Sequence, residues 1–478
     1  MQARKETKLK NDFIFGHKGR YSCIGYRPVF VCKKIQKHYY SFTVTNYIIN
    51  GGKKLKGEIT VNASKNSAVA ILLASLLNGG KTTITNLPKI EEVFRIIEIL
   101  ESIGVKTRWQ GETLTVSPPE KLKLEKMDIE AALKTRIMIL LIGILVHKFK
   151  KFSLPFSGGC KLGKRTVTPH IYALEKFGIK IKVKEGEYEI SRNKLAPCEN
   201  LIMYESGDTA TENAILAAAL IGGKTVIKFA SANYQVQDLC YFLAGLGVKM
   251  EGIGTTTLVI FGQEKINQEY SFQLSEDPIE AMFFLTAAIV TKSSIVIRRC
   301  PLDFLELELF KLEKIGFKYK IIKEYKSENG FARLADIKTY SSELIAPEEK
   351  IYGRPYPGLN IDNLPFFVPI AAQAVGETLI HDWVYENRAI YYTELNRLGA
   401  KIDLADTHRV FVKGPTEFKP AEITCLPALR PSAIILIAML AAKGQSMLKN
   451  TYTIERGHED ICGRLRSIGA DIERVEEK

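Results

Sequence analysis

Asn213–Ala230, NAILAAALIGGKTVIKFA, followed shortly by Leu239–Gly252, LCYFLAGLGVKMEG, is the stretch that decides the fold. The first segment is apolar on nearly every side up to a glycine pair. It therefore reads as a helix buried all round, leaving into a threonine-bearing strand. The second is amphipathic, ends in Leu246 and Gly247, and runs into an alternating strand. Glycine there suits a helix that stops in the left-handed conformation. This second phrase occurs six times, from Ile96, Ile171, Leu239, Leu307, Tyr391 and Cys462. Its glycines are Gly104, Gly178, Gly247, Gly316, Gly399 and Gly469, about every 70–80 residues. The apolar phrase precedes each copy, from Ala68, Thr135, Asn213, Ala281, Phe366 and Ala433. Each unit predicts strand, buried helix, strand, surface helix, strand, strand. Such a period exceeds that of common solenoids. Six units, three per half, predict an α/β protein of two pseudo-threefold domains with helices inside and sheets outside.

The composition suits a soluble globular chain of 478 residues, 46% hydrophobic and 25% charged. Eight cysteines are scattered without a CxxC pair, so neither a zinc site nor a disulfide framework is indicated. A reducing, cytoplasmic setting is expected. The net charge is +14, but residues 1–45 hold ten cationic and two anionic side chains and so carry +8 of it. That basic stretch has no apolar h-region and reads as a poorly ordered extension rather than a secretory signal. The longest apolar runs, Ile137–Val146 and Ala433–Ala442, are too short to span a bilayer. Charge confined to a tail, without aromatic-interleaved basic motifs, argues against a nucleic-acid binder. Oligomeric state leaves no signal.

One loop stands apart from the repeats. Ser157–His170 reads SGGCKLGKRTVTPH, with Cys160 directly after two glycines and Lys161, Lys164 and Arg165 close by. Glycines permit a tight loop, and the cations favour an anionic ligand while shifting Cys160 toward thiolate. A reactive thiol beside a phosphate or carboxylate is one reading. A basic surface loop around an inert cysteine is the other.

Several motifs in order resemble the enolpyruvyl transferase family, in particular its sugar-nucleotide branch. They are Gly158-Gly159-Cys160 with Gly163, Arg165, Val167 and His170; Ser64-Lys65-Asn66-Ser67-Ala68; Thr211-Glu212-Asn213; Tyr385-Glu386-Asn387-Arg388; Leu429-Arg430; and Arg456-Gly457 with Glu459. The resemblance runs from about Ile48 to the C-terminus. It implies a two-domain inside-out α/β barrel of six βαβαββ units, with one domain at 65–274 and the other at 46–64 plus 275–478. It also implies transfer of the enolpyruvyl group of phosphoenolpyruvate to the 3-hydroxyl of UDP-N-acetylglucosamine, the first committed step of peptidoglycan synthesis, with sensitivity to fosfomycin.

By the same resemblance Lys65, Arg165 and Arg456 hold the phosphate and carboxylate, with Arg430 nearby. Cys160 donates a proton and forms a covalent adduct, and Asp362 takes the hydroxyl proton. Asn66, Arg136, Arg165, Thr166, Val167, Thr168, Pro169, Val384 and Arg388 bind substrate. No metal or organic cofactor is implied. Structural roles compete with these: Lys65 as a helix-start lysine, Asp362 as a helix N-cap, His170 as a hydrogen-bonder, and Arg136, Arg388 and Arg456 as snorkelling side chains.

Departures from the family pattern bear on the acceptor. Asp277-Pro278-Ile279-Glu280 lacks an arginine, Ala428 stands where an acid is usual, and Leu359-Asn360-Ile361-Asp362 replaces Phe-Pro-Thr-Asp. Asp208 enters a loop expected to touch the diphosphate, where its charge would repel. A divergent paralogue with another acceptor, a shikimate-pathway enolpyruvyl transferase and a non-catalytic sugar-nucleotide-binding regulatory protein are the alternatives.

Overall fold

In the computed structural model the described residues are 44–156 and 166–477. They form six sheets, five four-stranded and one three-stranded. The stretch quoted first shows how one is built. Strand Leu201–Ile202 leads to helix Asp208–Ala219, then Gly223–Lys228, helix Tyr234–Gly245, and strands Lys249–Glu251 and Thr257–Gly262. Ile227 pairs parallel with Leu201, while Thr257–Gly262 runs antiparallel between Gly223–Lys228 and Lys249–Glu251. Helix Asp208–Ala219 is buried from Ala210 to Ala219, as its all-round apolar sequence requires. The six phrase-ending glycines all have positive φ, between 87° and 98°. A second glycine set meets the buried helices end-on. A Cβ on Gly262 would lie 2.1 Å from the Ile221 carbonyl oxygen, and one on Gly51 would lie 2.2 Å from that of Met439. Only glycine lets the strand pass so close to the helix C-terminus.

Two buried apolar clusters result. One runs from Ala63 to Leu274. The other joins Tyr47–Val61 to residues 279–472 and takes in Tyr234, whose ring meets Phe304 edge-on at 5.9 Å. The first strands complete sheets of the C-terminal half. Val44–Gly51 lies antiparallel to both Gly444–Lys449 and Ile472–Glu477, and Lys56–Thr60 lies parallel to Ser294–Pro301. Val44 and Thr45, counted above with the basic extension, belong to this sheet opposite Glu477 and Glu476. The rest of the extension lies outside the described residues. Where the chain passes from the first cluster at Leu274 to the second at Ile279, Tyr241 stacks on Phe331 at 4.0 Å, and Asn329 donates to the Gln273 carbonyl and Ser275 Oγ.

Three predicted helices depart from regular α geometry. The phrase at Tyr391 is a 3₁₀ helix, Ala389–Leu398. The apolar phrase from Phe366 is short, Phe367–Gln373, behind a 3₁₀ turn at Leu364–Phe366. The phrase from Thr135 splits into 3₁₀ Ile137–Leu140 and α Leu141–Leu145. Here the cause is a side chain from another helix. Asn213 Nδ2 donates to the Ile139 carbonyl at 2.9 Å and Asn213 Oδ1 accepts from Gly143 N at 2.8 Å, taking groups that a regular ladder would use. Among the described residues no helix is long and apolar enough to cross a membrane.

Candidate active site

Helix Lys65–Ala74 begins where the chain first leaves the C-terminal half. Ser64 caps it, accepting from Ser67 N, and Lys65 N donates to Asp277 Oδ2 at 3.2 Å at the returning crossover. Both crossovers are thus tied at the base of Lys65. Its Nζ lies 2.8 Å from Glu92 Oε2 and 3.3 Å from Asn66 Oδ1, and Asn66 Nδ2 donates to the Tyr234 hydroxyl at 2.9 Å. Glu92 sits in the first turn of helix Glu91–Ser102, where a carboxylate suits the helix dipole. It also lies 3.4 Å from Arg456 Nη2 and accepts from Thr135 Oγ1 at 3.0 Å. Burial alone would raise the Glu92 pKa. The Lys65 ammonium and Arg456 guanidinium outweigh it and hold the carboxyl down at about 2. Among the described residues Arg456 Nε is buried without a hydrogen-bond acceptor. Lys65 and Arg456, distant in sequence, therefore converge on one carboxylate.

Asp362 and Arg430 stand close enough to Tyr234, the partner of Asn66, to act on its hydroxyl electrostatically. Asp362 is 26% exposed, with Arg430 Nη2 at 3.6 Å and Arg388 Nη1 at 3.8 Å. It is not a helix cap: Asn363 holds that position before Leu364–Phe366, with no side-chain cap bond. Arg388 does not snorkel. It is 1% exposed, bonded through Nε and Nη2 to Asp382 and through Nη2 to the Ile361 carbonyl at 2.8 Å, with Tyr392 hydroxyl donating to the same Asp382. Its guanidinium lies 4.3 Å from the Tyr385 ring centroid. Arg388 is thus buried behind Asp362 as its support. Arg430 is nearly buried in the first turn of helix Leu429–Ala441, beside the buried Ala428.

Of the other candidates, Thr166 and Thr168 bond to each other, with Thr168 N donating to Thr166 Oγ1 at 2.9 Å, and Pro169 is buried in the start of helix Thr168–Glu175. Val167, Val384 and Arg136 are half-buried. Arg136 lies close enough to His170 to add to the burial that lowers the His170 pKa to about 3. His170 is a neutral hydrogen-bonder, with Nδ1 3.2 Å from Asn213 Nδ2 and Nε2 3.4 Å from Thr209 Oγ1. Cys160 and Arg165 lie outside the described residues.

Asp208 does not present a bare charge. Ser231 Oγ, Asn233 Nδ2 and Gln235 Nε2 donate to its carboxylate at 2.5, 3.1 and 2.7 Å. These donors, from the turn at Ser231 and the start of helix Tyr234–Gly245, hold the Asp208 carboxylate in place. Asp277 and Glu280 are likewise structural. Asp277 caps helix Pro278–Val290, and Glu280 pairs with Arg464.

Glu92, Asp382 and Tyr234 escaped sequence reasoning. Glu92 looks like an ordinary first-turn acid and Asp382 like a strand-end residue; neither local pattern reveals a distant cation.

The family model described as EPSP synthase (3-phosphoshikimate 1-carboxyvinyltransferase) matches residues 49–465. A protein of Borreliella burgdorferi named UDP-N-acetylglucosamine 1-carboxyvinyltransferase is 32% identical over 432 residues, covering 90% of this chain and 99% of its own. One of the same name from Lawsonia intracellularis is 34% identical over 430 residues, covering 90% and 99%. Among solved structures, the enolpyruvyl transferase NikO from Streptomyces tendae superposes with a TM-score of 0.77 at 22% identity, covering 91% of this chain and 100% of that one. An EPSP synthase from Acinetobacter baumannii gives 0.69 at 19%, with the same coverage.

Proposed function

We propose, from the premise that this chain belongs to the enolpyruvyl transferase family, that it transfers the enolpyruvyl group of phosphoenolpyruvate to the 3-hydroxyl of UDP-N-acetylglucosamine and releases phosphate. The observation that carries this reading is the convergence of Lys65 and Arg456 on one carboxylate, with Asp362 held by Arg388 and Arg430 in the same protein. Lys65 and Arg456, with Arg165, bind the donor's phosphate and carboxylate by charge-assisted hydrogen bonds. Asp362 accepts the proton of the attacking hydroxyl, whose oxygen bonds to C2 of the donor. Cys160 supplies the proton to C3. Loss of a C3 proton then restores the double bond as the C2–phosphate bond breaks and phosphate leaves.

Asn66, Arg136, Thr166–Pro169 and Val384 contact the sugar nucleotide. Arg388 acts through Asp362. The six sheets and the buried helices support the inside-out arrangement of six units in two domains, 65–274 and 46–64 with 275–478. The setting is peptidoglycan synthesis in the cytoplasm. Ala428, which offers no acid beside Arg430, favours as second reading a divergent enzyme with another acceptor. Phosphate release from phosphoenolpyruvate is the test, measured with UDP-N-acetylglucosamine, with shikimate 3-phosphate and with no acceptor. Turnover with the sugar nucleotide alone is expected. Turnover with shikimate 3-phosphate alone, or with neither, refutes the reading.

A further inference from the structure

Lys65 and Arg456 belong to opposite halves of the chain, and both pair with the Glu92 carboxylate. The helix that carries Glu92 is built into the first apolar cluster through Val93 and Ile96. Arg456 follows Ile454, which is built into the second. A second bond spans the same gap, from Lys89 N to Glu459 Oε2 at 3.1 Å. The carboxylate is 5% exposed and already carries three partners, the third being Thr135 Oγ1. Its partners keep some access to solvent: the Lys65 and Arg456 side chains are 13% and 16% exposed.

We propose that Glu92 is a positioning residue of the donor-anion site. It aligns the two cations across the two halves, and as a resident anion it competes with the donor for them. The inference rests on the reading that Lys65 and Arg456 bind the anionic donor. Alignment raises turnover, because a cation placed before the donor arrives need not reorganise during the reaction. Resident charge lowers affinity, because one negative charge already offsets part of the field of the two cations. The two effects act on different kinetic constants, which separates this role from a purely structural one.

The experiment is Glu92→Gln, which keeps shape and an acceptor for Thr135 but removes the charge. The expected kcat falls by about tenfold or more, while KM for phosphoenolpyruvate and the inhibition constant of inorganic phosphate fall by roughly three- to tenfold. Glu92→Asp, which retains the charge on a shorter arm, is expected to recover the wild-type phosphate affinity with part of the turnover. Thr135→Val, which loosens the carboxylate without changing charge, is expected to lower kcat with KM unchanged, and it serves if Glu92→Gln fails to fold. A folded Glu92→Gln protein with phosphate affinity within twofold of wild type overturns the proposal, as does a Thr135→Val protein with wild-type kcat. Calorimetric titration with inorganic phosphate reads the affinity without turnover. A wild type that binds phosphate yet turns over no acceptor therefore refutes the enzymatic reading, and Glu92 remains tested by the titration.

Discussion

Replacing Asp382 by Asn should destabilise the C-terminal half by about 3–5 kcal/mol, the cost of stranding a buried charge. Asp382 and Arg388 are each 1% exposed, so water cannot replace the lost partner. The guanidinium cannot escape by losing its proton. Burial works to lower its pKa, but Tyr392 and Asp382 raise it well above the ordinary arginine range. Tyr392 is wholly buried and would lose its acceptor charge as well. Against a typical total of about 5–15 kcal/mol, this is a third or more of the stability. The chain has two tryptophans, and they divide the readout. Trp383, next to Asp382, donates from Nε1 to the Gly353 carbonyl at 2.7 Å, whereas Trp109 packs against the first cluster. Urea unfolding followed by fluorescence in a Trp109→Phe background should show a lowered midpoint with Asp382→Asn. The double variant Asp382→Leu, Arg388→Met should recover most of that loss, since apolar residues of similar volume often replace a buried ion pair at little cost. It should not recover activity, because Arg388 Nη1 would no longer stand 3.8 Å from Asp362. A midpoint shift worth less than about 1 kcal/mol for Asp382→Asn would refute the reasoning.

Gly104→Ala should cost about 1–2 kcal/mol, read as a lowered thermal midpoint. Gly104 has φ 98°, and the added methyl would meet only Pro119 Cγ at 3.7 Å, so strain rather than crowding sets the loss. Asp238 is buried, its pKa raised to about 6 by desolvation, with Oδ1 accepting from Ser275 Oγ. Its folded value exceeds its unfolded one, so the stability it contributes is present below about pH 4 and lost as pH rises through about 6, by roughly 3 kcal/mol. Asp238→Asn should therefore gain on wild type across that window in urea midpoints; a constant difference from pH 4 to pH 8 would contradict the assignment. Cys160→Ser should lose most turnover, because a hydroxyl is the weaker acid. Brief exposure to fosfomycin should label Cys160, with phosphoenolpyruvate protecting it, as mass spectrometry of the peptides would show; a label on Cys198 or Cys425 instead would count against it.

What could be read from the residues alone was local. A helix that ends in the left-handed region needs glycine at its end, so the six copies announce themselves, and Gly104 through Gly469 adopt that conformation. A helix apolar on every side has to be buried, and those from Ala68, Asn213, Ala281 and Ala433 are. The motifs around Lys65, Asp362 and Arg456 were legible for the same reason, since each is a short string of chain neighbours. Whatever depended on a partner far along the chain had to wait for the fold. Asn213 interrupts the helix predicted from Thr135 by bonding to Ile139 and Gly143. Asp208 is held in place by donors more than twenty residues away. Arg388, which a sequence leaves free to snorkel, is buried because Asp382 and the Ile361 carbonyl satisfy it. Glu92 is the clearest case: as a first-turn acid it is ordinary, and only the fold sets it between Lys65 and Arg456. Electrostatic coupling falls off with distance in space rather than along the chain, so tertiary structure alone decided which charges would meet.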